Sequence, residues 1–415
     1  MVVAALLVYL AVSGARAWLS WLNLRHLARE GHRVPVGLEG LVDRARLGQI
    51  SDYTSEQARF GLVHSALSTA LTAAFLFGGG LGWYDRLSQG WSSSFVGQSV
   101  LFVLGLTLAG TLLEIPFQLY GTFRIEARHG FNRQTWGLWW TDWIKGVLLS
   151  VLLTSALSAG AFALVQAAPN SWWLWVSALI AAVSLLMTFV SPYVIEPLFN
   201  KLEPLEVDGL SDEIRSMTAR AGVSVARVLK VDASRRSGHS NAYFTGLGRV
   251  KRVVLFDTLL AQMSHAQILA VLAHELGHWK KHHVLVRMLV MLLLLVLGAF
   301  LAFRLAPTDA LTSLVGLPSA SFAARLLLLM VVASVVTFPL TPLLSAWSRR
   351  DEREADRFAV DLHGEARDLA DALAKLGTEN LSNLHPHPLY AAFYYSHPPL
   401  VERITTLRAL PTRAR

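Results

Sequence analysis

The sequence predicts a mainly α-helical protein that crosses a membrane seven times, with a polar domain containing a small β-hairpin or sheet. Three observations lead there. Only 16% of the 415 residues are charged, against about 25% in soluble domains. Seven windows approach the roughly 20 apolar residues that a span needs: Val2–Leu22, Gly61–Trp83, Phe95–Tyr120, Gly146–Ala168, Trp172–Ile195, Val284–Phe303 and Leu326–Trp347. A long polar insert, from about Phe199 to His283, separates the fifth from the sixth. The chain therefore divides into a membrane domain (1–203) and a domain that carries the insert and the last two spans (204–415).

The first window could be a signal peptide, because Ala15–Ala17 reads as a cleavage site. No Lys or Arg precedes the apolar run, so it is taken as a span. A 38-residue loop, Asn23–Phe60, follows it with turn residues and amphipathic pieces. Glu114 interrupts the third window. It faces either a wet interior or a neighbouring helix through a hydrogen bond. Pro339 and Pro342 bend the seventh.

The net charge of +8 is explained by loop asymmetry rather than by nucleic-acid binding, for which no motif is present. Six Arg follow span one and four Lys/Arg follow span three. One follows span two and none follows span four. Basic loops stay inside, so the N-terminus is expected outside and the C-terminus in the cytoplasm. There is no cysteine, so any metal must be held by His, Asp or Glu.

In the insert, Asp208 and Ser211 precede a helical apolar pattern and read as a capped start. "ARVLKVDAS" and "RVKRVVLFD" read as strands, and "SGHSNAYFTGLG" as a strand or hairpin. "SHAQILAVLAHELGHWKKHH" has helical periodicity and is expected to run directly into span six. "SRRDEREADRFAVDL" is a further helix after span seven, and a last helix starts at Pro398 or Pro399.

"HELGH" puts His274 and His278 on one helical face, with Glu275 about 100° away. Two imidazoles can share one ion there while Glu275 acts on water beside it. A catalytic zinc needs a third protein ligand and an open position. His282 lies eight residues from His274, a rise of about 12 Å, too far for the same ion. His282 and His283 are placed at the membrane interface with Lys280 and Lys281. On "DEREAD", Glu352, Ala355, Asp356 and Ala359 share a face, while Glu354 points the other way. Glu352 is assigned as third ligand of a single zinc ion and Asp356 as the carboxylate orienting a ligand histidine. On its own, "DEREAD" reads equally as a surface salt-bridge helix among Arg349, Arg350, Arg353 and Arg357. The two motifs flank an even number of crossings, so they lie on the same side.

These residues resemble the type I CAAX prenyl endopeptidase family, integral-membrane zinc metalloproteases of the gluzincin clan. "SRRDEREADRFA" is similar to the family's third-ligand helix, and "HSNAYFTGLGRVKRVVLFDTLL" to the segment before its zinc helix. "EIPFQLYGTFRIEARHGFNRQT" resembles its third-span signature, and "SHPPLVERI" its C-terminal motif. The family's "WKxNH" has His282 at the Asn position here. The resemblance implies helices enclosing a water-filled chamber, a gluzincin-like protease domain, and zinc near the cytoplasmic face. An Ala/Leu/Arg-rich composition and the absence of a dilysine-type signal in "PTRAR" suggest a prokaryotic member in the cell (inner) membrane.

The expected reaction is peptide hydrolysis with Glu275 as general base. His397, in "SHPP", is either a donor to the oxyanion or an ordinary loop residue. Arg403 reaches Asp356 or the oxyanion, or forms a structural ion pair. Asn241, Ala242 and Tyr243 are expected to bind substrate by strand pairing, as the gluzincin Asn-Ala strand implies; alternatively they only pack the domain. The partners are the lipid bilayer and a peptide or protein substrate, lipidated or membrane-associated. Two rival readings are a quality-control endopeptidase indifferent to prenylation and a transporter with a structural zinc.

Overall fold

The computed structural model describes residues 1–207, 209–246 and 251–411. Helices α1 (Val2–Glu30) and α2 (Arg44–Phe77) are followed by the short α3 (Gly80–Gln89), then by α4 (Phe95–Tyr120), α5 (Trp136–Ala167) and α6 (Trp172–Val190). The insert begins with α7 (Glu196–Phe199), β1 (Leu202–Pro204), α8 (Leu210–Arg220), β2 (Arg227–Val231), β3 (Ala242–Thr245) and β4 (Arg252–Phe256). Next come α9 (Asp257–Gln262), α10 (His265–Lys280), the span α11 (His283–Leu305) and the small α12 (Ala310–Leu314). The chain closes with α13 (Phe322–Val336), α14 (Thr341–His363), α15 (Ala366–Glu379), α16 (Pro388–Tyr394) and α17 (Leu400–Arg408). Among the described residues six helices are long and apolar enough to cross a membrane. The pair α13–α14, bent at its prolines, makes a seventh.

Each of α2, α5 and α6 packs on the span before it, α11 packs on α6, and α13 touches both α4 and α1. Few of their side chains are buried, because each helix packs against its neighbours along only part of its surface. Glu114 pairs with His64 of α2 at 2.9 Å, and both remain partly exposed. The contact with a neighbouring helix is thus present. The solid core lies in the protease domain, where Ile214, Val253, Leu255, Ile268, Leu272, Leu369 and Ile404 interlock. Each such burial contributes about 1.5–3 kcal/mol.

The sheet order is β1-β2-β4-β3. β2 and β4 run parallel, from Arg227 opposite Arg252 to Val231 opposite Phe256. β3 pairs antiparallel with β4, Ala242 opposite Leu255, and among the described residues no strand lies on its other side.

Several expected boundaries move. The loop after span one shrinks to 31–43, because its amphipathic ends continue α1 and α2. The second window splits at Gly78–Gly79, where Gly79 adopts φ +86°. Gly209 rather than Ser211 caps α8, while Asp208 lies outside the described residues. The "DEREAD" helix is the continuation of the seventh span rather than a separate one. Finally, α10 does not run into α11: His282 breaks the helix with φ +60°.

Candidate metal centre

α10 starts at a capping box. Ser264 accepts from the Gln267 backbone N–H, and Gln267 accepts in return from Ser264 N. This fixes the helix end and so the phase of the histidines. α10 lies against α14 with Gly277 over Ala355. A Cβ on Gly277 would come within 3.0 Å of the Ala355 Cα. Such close approach carries His274 and His278 to Glu352: one ligand atom from each lies within 4.8 Å of the others.

The Nε2 atoms of His274 and His278 are 3.2 Å apart. Glu352 Oε2 is 3.2 Å from His274 Nε2, and its Oε1 is 3.3 Å from His278 Nε2. Behind them Asp356 Oδ1 takes His274 Nδ1 at 2.8 Å. Arg403 forks onto Asp356, with Nη2–Oδ1 at 2.6 Å and Nε–Oδ2 at 2.9 Å. All of these groups except His278 are buried. None of the ion pairs engages Glu275, which is half-buried on the same helix.

These groups fit a cation. Glu352 Oε2 is buried without a hydrogen bond. His397 Nδ1 is 2.7 Å away. Two imidazole nitrogens and an orphaned carboxylate oxygen converge, a nitrogen–oxygen donor set suited to zinc. Burial opposes charge on His274, but the Asp356 and Glu352 carboxylates beside it overcome that and hold the ring at about 9. A metal ion in that position would take the proton's place.

The other expected residues fall around this cluster. His397 is exposed and lines a cavity of about 1090 Å³ with Tyr53, Gln57, Asn241, Tyr395 and Arg403. Asn241 O accepts from Phe256 N at 3.1 Å, so the N–H of the same peptide unit, Ala242 N, points to the open edge. There Asn241 Oδ1 holds it at 2.8 Å. Tyr243 faces the other side of the sheet, with Leu229, Val231 and Val254, and its hydroxyl bonds Glu196. The Tyr243 side chain therefore lies on the face of the sheet opposite to Ala242 and Phe244. His282 is exposed at the break, away from the cluster. His283, at the start of the span α11, is buried, with Nδ1 3.1 Å from His278 Nδ1.

Residues 23–201 match the family described as CAAX prenyl protease N-terminal, five membrane helices, and residues 204–411 match peptidase family M48. The chain belongs to the CAAX prenyl protease family. It is a multi-pass membrane zinc metalloprotease. The CAAX prenyl protease 1 homolog of Arabidopsis thaliana is 35% identical, over 94% of this chain and 93% of its own. CAAX prenyl protease 1 of Saccharomyces cerevisiae is 32% identical, over 90% and 88%. The crystal structure of S. mikatae Ste24p superposes with a TM-score of 0.89 at 29% identity, covering 97% of this protease and 99% of that chain. The rival reading as a transporter with a structural zinc is set aside by this membership.

Sequence patterning missed His283, Asp351 and Arg287 as a group. Five residues separate His278 from His283, and on a continuous helix that places them about 140° apart. Without a glycine or proline near His282, nothing in the sequence signals the break.

Proposed function

We propose that this protease cleaves C-terminal residues from prenylated proteins, a reading supported by relatives named CAAX prenyl protease 1. His274, His278 and Glu352 hold one zinc ion per chain. The supporting observation is the open edge of β3 beside the His/His/Glu cluster, on a cavity large enough for an extended peptide with a bulky apolar group. Residues 1–203 supply the first five spans, and 204–415 the chemistry together with the last two. The zinc site lies on the cytoplasmic side, with the N-terminus outside, in a prokaryotic cell membrane. The charge asymmetry of the loops supports the orientation.

The ion, when bound, supplies Lewis acidity toward the scissile carbonyl and lowers the pKa of a water. Glu275 accepts that water's proton as the oxygen bonds to the carbonyl carbon. As the C–N bond breaks, Glu275 passes the proton to the amine nitrogen. His397 donates to the developing oxyanion from the cavity wall. Asp356 keeps the proton of His274 on Nδ1, and Arg403 holds Asp356 in place. Ala242 N exchanges Asn241 Oδ1 for a substrate carbonyl, pairing the peptide to β3.

The reading is tested with matched prenylated and unprenylated peptides, using the wild type and Glu275→Gln. A kcat/KM clearly higher for the prenylated peptide, lost in Glu275→Gln, is expected. Equal cleavage of both would favour the quality-control reading.

A further inference from the structure

The break between α10 and α11 brings a third histidine against the metal face. We propose that His283 is a positioning residue for the metal centre. Its Nδ1 accepts the proton of His278 Nδ1 and so holds that ring with Nε2 aimed at the ion. The inference rests on the reading of His274, His278 and Glu352 as ligands.

The two Nδ1 atoms are 3.1 Å apart, so one donates and the other accepts. His278 Nε2 faces His274 Nε2 at 3.2 Å and Glu352 Oε1 at 3.3 Å. A ligating nitrogen carries no proton, so a neutral His278 carries its proton on Nδ1. His278 is then the donor and His283 Nδ1 the acceptor. This leaves the proton of His283 on Nε2, which lies 3.5 Å from Glu354 Oε2 and 4.0 Å from Asp351 Oδ1. Asp351 is itself buried and fixed by Arg287 of α11 at 2.8 Å. Both nitrogens of a buried ring thus face a partner, and each hydrogen has one direction to run.

His283 also completes a pattern. His274 has a carboxylate on its Nδ1, from Asp356 at 2.8 Å. His278 has a histidine there instead, which in turn faces carboxylates. The backbone is bent to achieve this. His282 takes a left-handed φ of +60°, a conformation that histidine, like asparagine and aspartate, adopts more readily than most residues. The turn swings His283 back over His278 just where the apolar run of α11 begins. The metal face is thereby tied to the start of a membrane span.

The test uses the purified full-length protein in detergent. Zinc affinity is measured by competition with a chelator, and the metal environment by the absorption spectrum of the cobalt(II)-substituted protein. His283→Leu removes the acceptor and keeps the bulk. His283→Asn puts an amide oxygen near the position of Nδ1. The expected result is a zinc affinity about 10–100-fold weaker for His283→Leu, with a changed cobalt spectrum, and recovery of both in His283→Asn. Zinc-free melting temperature serves as the reading a purely structural role would move. Wild-type affinity and spectrum in His283→Leu overturn the proposal, as does an asparagine variant as impaired as the leucine one. If the leucine variant does not fold, His283→Ala replaces it in the same comparison. His278→Ala is measured alongside. Zinc retained in that variant defeats the ligand assignment itself, which keeps the two failures apart.

Discussion

Replacing Gly277 by alanine tests whether the α10–α14 contact sets the metal geometry. The added Cβ would meet three atoms of Ala355: Cα at 3.0 Å, O at 3.2 Å and Cβ at 3.3 Å. Comfortable carbon–carbon contacts are about 3.5–4.0 Å, so the helices must part by several tenths of an ångström. None of the three atoms belongs to a flexible side chain that can swing aside. Alanine regains about 1 kcal/mol of helix propensity, while overpacking costs about 1–3 kcal/mol. The fold is therefore expected to lose at most about 2 kcal/mol. The metal centre is less tolerant. Glu352 lies one turn before Ala355 on the helix that moves, and ligand distances hold only within about ±0.2 Å. Zinc affinity should fall about 10–100-fold, the range seen when a ligand's support is disturbed, and kcat should fall with it. Gly298→Ala, in α11 with nothing within 4 Å of its Cβ, is the control and should change neither. Chelator competition and steady-state kinetics on the same samples measure both quantities. Wild-type zinc affinity and turnover in Gly277→Ala would refute the claim that close helix packing sets the ligand spacing.

His274→Ala, His278→Ala and Glu352→Ala should each lose zinc and activity together, whereas Glu275→Gln should keep zinc and lose turnover. An active Glu352→Ala beside a dead Glu354→Ala contradicts the ligand assignment, and metal analysis with a peptide assay decides it. His397→Ala should lower kcat about 10²–10³-fold with KM nearly constant and zinc retained. A rise in KM alone would make His397 a substrate-binding residue. A tag at Arg86 should be accessible from outside the cell, and tags at residue 40 and at the C-terminus should not be. External labelling of the C-terminus would reverse the orientation.

Local pattern determined a large part of this protein. Apolar run length marked the spans, because a bilayer demands about 20 such residues whatever surrounds them. Helical period placed His274 with His278 and Glu352 with Asp356, since side-chain direction within one helix depends only on residue spacing. The absence of cysteine restricted any metal to nitrogen and oxygen ligands. What the period could not reach was decided by contacts between elements. Arg403 was open between the oxyanion and an ion pair until α17 packed on α15 and set the arginine's fork on Asp356. Tyr243 looked like part of a binding strand, yet strand alternation turned its side chain to the face away from the core that holds Ala242 and Phe244. His283 appeared to belong to a continuous helix. The left-handed turn at His282 is stabilised by what His283 meets after it, His278 and the carboxylates of α14. Those partners are 5 to 71 residues away in the chain, and only the packing of α14 against α10 brings the carboxylates within reach.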